Sequence, residues 1–186
     1  MEILVGVAPI EDSLNWARAL IREIPDFPLP GILFLDLTPL LGHGPSFRAV
    51  VAEFDQLATG SDLIAGLEAR GFIFAAALAH SMKMGFVPIR KKGKLPSLTY
   101  EESYGLEYGN AIVEMHQDAV APGTKVLIID DVLATGGTAI AGIRLVEQAG
   151  GIVTGVGTVL EIESLAGRAR INASYPTVPV HSIFVM

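Results

Sequence analysis

The sequence predicts an α/β fold in which a mostly parallel, twisted sheet is flanked by helices. Residues 126–129 (VLII) and 152–160 (IVTGVGTVL) are continuously apolar or small, which is typical of strands buried on both faces. From residue 63 onward such strand-like segments alternate with helix-like segments, the pattern of a parallel sheet built from βα units. The chain has 186 residues, of which 51% are hydrophobic, so we expect a single domain over residues 1–186.

Charge and cysteine content exclude several classes of function. The chain carries 13 Lys and Arg against 20 Asp and Glu, a net charge of −7, whereas nucleic-acid and anionic-membrane binders usually have a basic surface. It contains no cysteine, which excludes disulfides and thiolate metal ligands. The first residues lack the features of a signal peptide, and no apolar run approaches the ~18 residues of a membrane span. We therefore expect a soluble cytoplasmic protein without nucleic-acid or membrane partners.

The first 60 residues contain two predicted helices separated by a proline-rich segment. The pattern over residues 10–24 predicts a helix whose apolar face is formed by Leu14, Ala17, Leu20, Ile21 and Ile24. Residues 25–41 contain too many prolines for a helix, so we expect an extended or looped segment. A second amphipathic helix is predicted between Phe47 and Leu57.

The remaining residues predict the elements of the sheet in order. They are strand 63–66, helix 72–83, strand 86–90, a hairpin over 98–116, strand 125–130, helix 137–149, strand 152–160, a short helix near 164–171 and a final strand 181–186. In parallel sheets the ligand crevice lies beyond the carboxyl ends of the strands. Candidate site residues therefore lie in three segments that follow strands, namely LEARG (67–71), RKKGKLP (90–96) and DDVLATGGT (130–138).

The third of these segments combines two acids with a glycine-threonine turn at a predicted helix start. Either half alone is typical of an ordinary turn or of a helix entry with a capping hydroxyl. Together they favour a phosphorylated sugar, because the glycines let backbone N–H groups approach a phosphate and the threonines add hydroxyl donors. Asp130 and Asp131 can bind a vicinal diol, or a Mg²⁺ coordinated to it. The P-loop, dinucleotide-binding and nucleophile-elbow patterns are absent from the chain.

The segment VLIIDDVLATGGT resembles the phosphoribosyl pyrophosphate (PRPP) binding motif of type I phosphoribosyltransferases. Four further motifs follow the order and spacing of the adenine phosphoribosyltransferases within that family: DFPLPGILFLDLTPLL, AGLEARGF, VPIRKKGKLP and LEYG. The resemblance covers roughly residues 21–165. It implies an enzyme of purine salvage that transfers the 5-phosphoribosyl group from PRPP to adenine, giving AMP and pyrophosphate. It also implies Mg²⁺ as cofactor, a homodimer, a hood over roughly residues 1–40 and a flexible flap over roughly residues 92–112.

The same resemblance implies how PRPP is held. The 5′-phosphate is expected to lie on Ala134, Thr135, Gly136, Gly137 and Thr138. Asp130 and Asp131 are expected to hold the ribose hydroxyls, directly or through Mg²⁺. Cations expected at the pyrophosphate are Arg70, Arg90, Lys91 and Lys94. The family also has a cis, non-proline peptide in the pyrophosphate loop, which corresponds here to Glu68–Ala69.

A further set of residues is implied for the purine. Glu107 matches the catalytic glutamate, which would accept a proton from N7 while N9 attacks, and Tyr108 beside it would cover the site. In relatives that use 6-oxopurines an aspartate takes this role at the position of Ala134. Phe34 would stack on the base, with neighbouring contacts from Leu33, Leu35, Val132 and Ile162.

Two positions depart from the family pattern. Leu35 replaces a basic residue of the hood, and Ala75 replaces a usual glycine. The first departure keeps open a transferase for another purine. A PRPP-sensing regulator without catalysis is a further alternative, but Glu107 and Lys94 are retained, which favours an enzyme.

Overall fold

A computed structural model describes residues 10–105 and 110–186 of the chain. These residues divide into two compact units, Met1–Glu53 and Phe54–Met186. No helix in the described part of the chain combines the length and the apolar character that a membrane crossing requires.

In its described residues, 10–53, the first unit contains three helices and a two-stranded sheet. In order they are α1 (Ile10–Ala19), β1 (Arg22–Ile24), β2 (Phe34–Asp36), α2 (Thr38–Gly42) and α3 (Gly44–Ala52). The helix predicted over residues 10–24 is therefore wrong in its last turn, because the chain after Ala19 turns and pairs as β1 with β2. Pro25 accounts for part of the difference, since it disfavours a helical conformation at Ile24.

The helix predicted between Phe47 and Leu57 is also interrupted. The first part is α3, which ends at Ala52, and α4 (Asp55–Ala58) begins the second unit. Phe54 between them is completely buried, and its ring packs against Gly157 so closely that a Cβ at Gly157 would lie 3.0 Å from it. The turn at residues 53–54 thus directs Phe54 into the core of the second unit.

The second unit is built on one large sheet. After α4 its elements are β3 (Leu63–Leu67), α5 (Gly71–Met82), β4 (Gly85–Lys91), β5 (Thr99–Gly105), β6 (Asn110–His116), β7 (Lys125–Leu133), α6 (Gly137–Gln148), β8 (Ile152–Glu161), a 3₁₀ turn (Glu163–Leu165), α7 (Gly167–Ser174) and β9 (Val180–Val185). Within the described residues the strand order is β5-β6-β4-β3-β7-β8-β9. The five strands β3, β4, β7, β8 and β9 are parallel to one another. In the β5–β6 hairpin the two strands are antiparallel, and β6 pairs antiparallel with β4. The predicted α/β fold with a mostly parallel sheet and a hairpin is confirmed.

The two long helices cover opposite faces of this sheet. Ala65, Leu67 and Ile128 share a buried cluster with residues of α6. Gly66, between two of them, instead contacts α5, where a Cβ on Gly66 would lie 2.8 Å from the Cβ of Ala75. Successive strand residues point to opposite faces, so α5 and α6 lie on opposite sides. The carboxyl ends of β3, β4, β7 and β8 consequently share one edge, which places all three predicted site segments there.

Candidate active site

The two acids that end β7 lie against the start of α5. Asp130 and Asp131 are both buried, and the N–H of Asp131 donates to Oδ1 of Asp130 at 2.9 Å. Arg70 Nε lies 2.6 Å from Asp131 Oδ2. A Cβ at Gly71 would lie 2.8 Å from Asp130 Oδ1, so only glycine allows α5 to begin this close to the acids. The structure therefore brings together Arg70 and both predicted carboxylates.

Because the two acids are buried, ionising both is costly unless positive charge lies nearby. The pKa of Asp130 lies well above its ordinary value, first because burial disfavours the ionised carboxyl and second because Asp131 is negatively charged nearby. The Asp131 N–H and Arg70 lower the pKa only in part. A ligand that brings positive charge, or hydroxyl donors, to these carboxylates would relieve the cost of ionising both.

The donor set fits Mg²⁺ only together with other oxygen ligands. Carboxylate oxygens are ligands that Mg²⁺ prefers, usually one or two from the protein with water and substrate phosphates. Among the described residues no group of three His, Cys, Asp or Glu side chains is placed to hold a metal ion. Asp130 and Asp131 therefore suit an ion that arrives with a substrate.

The segment after β7 forms a phosphate-sized loop at the start of a helix. Gly136 precedes α6 with φ +76°, a left-handed conformation that favours glycine. No described side chain caps the helix, so the N–H groups of its first turn remain available to an anion. The cavity in front of them has a volume of about 60 Å³. Its lining includes Asp130, Val132 and all five residues predicted for the 5′-phosphate, Ala134, Thr135, Gly136, Gly137 and Thr138.

The start of α7 supports this loop from behind. A Cβ at Gly167 would lie 2.9 Å from the Gly136 nitrogen, and a Cβ at Gly136 would lie 2.8 Å from the Gly167 carbonyl oxygen. Arg168 anchors the turn, because its guanidinium donates to both carboxylate oxygens of Glu161 at the end of β8. Sequence analysis missed Gly167, since its importance depends on a contact between segments thirty residues apart.

The loop after β3 carries a charged contact to the basic segment. The peptide between Glu68 and Ala69 is cis, which confirms that prediction. Oε2 of Glu68 accepts from Arg90 Nε at 3.1 Å and from the Lys91 N–H at 3.0 Å. Arg90 and Lys91 therefore lie directly beside the loop that carries Arg70. The sequence predicts no role for the Glu68 side chain or for Glu114, whose carboxylate accepts from the Lys94 N–H.

The β5–β6 hairpin also lies close to the phosphate loop. A Cβ at Gly137 would lie 3.3 Å from the Tyr104 ring and 3.3 Å from the Gly105 carbonyl oxygen. Glu102 binds α6 through Arg144, at 3.7 Å, and through Gln148. The pairing of β5 with β6 extends to Gly105 and Asn110. Glu107 and Tyr108 fall within residues 106–109, outside the described residues, so their predicted roles stay predictions.

The residues predicted around the purine are divided between the two units. Val132 lies near the end of β7, and Ile162 follows β8 and donates its N–H to Leu133 at 2.9 Å. In the first unit Leu33 is half-exposed, and the half-buried Phe34 ring meets Phe27 edge-on at 5.1 Å. Leu35 on β2 is buried, with 6% of its surface exposed. The assignment of these five residues to the purine stays a prediction.

Comparison with known proteins agrees with this geometry. The family model described as phosphoribosyl transferase domain matches residues 48–180. An adenine phosphoribosyltransferase of Thermobifida fusca is 55% identical over 153 residues, which cover 81% of this chain and 87% of that protein.

Solved structures give the same result. The crystal structure of adenine phosphoribosyltransferase from Rhodothermus marinus is 48% identical, with a TM-score of 0.85 over 95% of this chain and 99% of that one. The Saccharomyces cerevisiae enzyme, solved with an imino-altritol bisphosphate and adenine, is 34% identical with a TM-score of 0.85, over 93% and 99% of the two chains. With the acids, the glycine loop and the cis peptide arranged as described, the chain belongs to the phosphoribosyltransferase family and, within it, to the adenine phosphoribosyltransferases.

Proposed function

We propose that the protein transfers the 5-phosphoribosyl group of PRPP to N9 of adenine, producing AMP and pyrophosphate. The observation that carries the proposal is the buried pair Asp130–Asp131 directly beside a glycine loop at a helix N-terminus. Two relatives with 55% and 54% sequence identity to this chain are named adenine phosphoribosyltransferase.

The sugar half of PRPP would be fixed between the loop and the acids. Backbone N–H groups of residues 136–138 and the threonine hydroxyls would bind the 5′-phosphate. The carboxylates of Asp130 and Asp131 would accept hydrogen bonds from the ribose hydroxyls. Their negative field would also stabilise the positive charge that develops at C1′ as the bond to pyrophosphate breaks.

The departing pyrophosphate would be neutralised by the cations at the neighbouring strand ends. Arg70 lies in the cis-peptide loop and Arg90 beside it, and each pairs with a carboxylate. Lys91 and Lys94 extend the positive charge along the basic segment. We propose Mg²⁺ as cofactor, held through PRPP and by Asp130 or Asp131, where it would add positive charge at the ribose and pyrophosphate oxygens.

The proton released from adenine requires a base on the protein. Glu107 is proposed to accept it from N7 while the N9 lone pair forms the bond to C1′, and to return it in the reverse reaction. The described end of β5, Tyr104 and Gly105, lies beside Gly137, which supports this role for a residue that follows closely in the chain.

Two further properties belong to the same proposal. We infer a homodimer, which the resemblance to the family supports. We also infer a cytoplasmic location.

The proposal is tested by assaying the purified protein with PRPP and Mg²⁺ against adenine, hypoxanthine, guanine and xanthine. Adenine should be strongly preferred. Equal or better use of a 6-oxopurine would refute the proposal in favour of a transferase for another purine. Binding of PRPP without turnover of any base would favour the regulator.

A further inference from the structure

The basic turn, residues 91–95, is held together around a buried carboxylate. The turn follows β4 and contains Gly93 at φ +80°. Glu114 on β6 is 3% exposed, and its Oε1 accepts from the N–H groups of Lys94 and Leu95, both at 2.8 Å. A negatively charged side chain is thus buried within the densest basic segment of the chain.

The geometry of this turn would otherwise bind an anion. Successive N–H groups around a left-handed residue form a concave site for negative charge. Here the carboxylate of Glu114 fills that site from within the protein. Burial raises the pKa of Glu114, but the N–H groups of Leu95, Gly93 and Lys94 lower it by more, so the pKa lies below its ordinary value. The carboxylate is therefore bound as an anion.

The peptide groups of Lys94 are fixed on both sides while its ammonium group is not. Glu114 accepts from the Lys94 N–H, and Arg90 Nη1 donates to the Lys94 carbonyl oxygen at 3.3 Å. Two residues earlier, Lys92 is paired through its ammonium group with Glu101 at 2.7 Å. No carboxylate among the described residues lies within ion-pair distance of the Lys94 ammonium group, and its side chain is exposed. Lys94 has a fixed backbone and an ammonium group that is available to an external anion.

We propose that Glu114 is a positioning residue, which holds the basic turn so that Lys94 is presented to the pyrophosphate group of PRPP. The inference rests on the proposed function, because it assigns the pyrophosphate to this turn. Glu114 acts through the backbone and does not touch the substrate. Its charge would on its own repel pyrophosphate, so any benefit to binding must come from the shape it imposes on the turn.

The test compares Glu114→Ala, Glu114→Gln and the control Glu147→Gln, which removes one exposed acid from α6. AMP lacks the pyrophosphate, so AMP affinity serves as an internal control for the rest of the site. For Glu114→Ala we expect the KM for PRPP and the Kd for magnesium pyrophosphate to rise about tenfold or more, with AMP Kd and adenine KM within about twofold of wild type. Glu114→Gln keeps an acceptor oxygen of similar shape, so its increase should be smaller, about threefold. Glu147→Gln should leave all four constants unchanged.

Other outcomes would overturn the proposal. If PRPP and pyrophosphate bind either Glu114 variant as well as wild type, or better, the carboxylate does not position the turn for them. If the AMP Kd and the adenine KM rise in parallel with those for PRPP and pyrophosphate, the role of Glu114 is a general structural one. Should Glu114→Ala fail to fold, Glu114→Gln decides by the same constants. Calorimetry with magnesium pyrophosphate requires no turnover, so the inference fails separately from the proposed function, which fails if wild type makes no AMP.

Discussion

The phosphate loop at residues 134–138 and the basic turn at residues 91–95 lie at the same edge of the sheet but are held by different means. The phosphate loop is positioned by backbone packing, since Gly136 and Gly167 approach so closely that neither tolerates a Cβ. The basic turn is positioned by carboxylates, with Glu68 bound to the Lys91 N–H and Glu114 to those of Lys94 and Leu95.

The difference follows from what each segment carries. The phosphate loop offers neutral N–H groups that must themselves reach an anion, so a carboxylate placed there would compete with the ligand. The basic turn offers charged side chains, so its N–H groups are free to be bound internally. Changes to the phosphate loop should therefore affect every ligand with a 5′-phosphate, and changes to the basic turn only ligands with a pyrophosphate.

The largest expected effect lies in neither segment. Glu107→Gln should lower kcat by about 10²–10⁴-fold, the usual contribution of a general acid–base group. PRPP should bind as in wild type, because the glutamate is proposed to act on the purine and PRPP carries no base. The measurement is steady-state kinetics combined with calorimetry for PRPP. A kcat within a few fold of wild type would show that another group takes the proton.

The second prediction tests the backbone support of the phosphate loop. Gly167→Ala should push Gly136 out of place and raise the Kd for AMP and the KM for PRPP together, by about tenfold. Gly42→Ala is the matched control, because a Cβ there meets no atom within 4 Å. A Gly167→Ala variant that raises the KM for PRPP but not the Kd for AMP would contradict the distinction between the two segments.

The sequence predicted the phosphate loop well but not its support, for a physical reason. Residues 130–138 are contiguous, so their chemistry is visible in one motif, and the structure places all five loop residues around one cavity. Gly167 and Glu114 act through contacts with distant segments, and nothing local distinguishes them from other glycines or acids. One signal was available for Glu114, which lies between Val113 and Met115 in a buried strand, because a buried carboxylate requires partners. Similarly, β1 exists because it pairs with β2, which helical periodicity cannot reveal.

The third prediction concerns the ion pair between Glu161 and Arg168, behind the phosphate loop. The pKa of Glu161 lies below its ordinary value of 4.5, chiefly because Arg168 donates hydrogen bonds to the carboxylate, while burial opposes the shift. A group whose pKa is lower in the folded state stabilises the fold above its unfolded pKa and loses that effect as pH falls through the folded pKa. Glu161→Gln should therefore lower the free energy of unfolding by roughly 1–3 kcal/mol at pH 7, with the difference from wild type shrinking below about pH 4.5.

Urea unfolding at several pH values between 7 and 3.5 measures that difference. Glu163→Gln removes an exposed acid two residues away and should show no such pH dependence. A difference from wild type that stays constant down to the lowest pH would mean that the Glu161 carboxylate contributes no charge-dependent stability. The phosphate loop would then depend on packing alone, which would sharpen its contrast with the basic turn.

The smallest expected effect on substrates concerns Leu35, a position that the sequence predicts to depart from the family pattern. Because Leu35 is buried, an arginine there must extend its guanidinium toward solvent, where salt screens the charge. Leu35→Arg should therefore lower the KM for PRPP by no more than about twofold at low ionic strength and not at all at high ionic strength. Leu33→Arg is the matched control, since it adds the same charge at a position that is 50% exposed. Leu35→Arg could instead change the KM for adenine, independently of salt and unlike Leu33→Arg. Residue 35 would then contact the base, and the leucine would help to determine which purine the enzyme accepts.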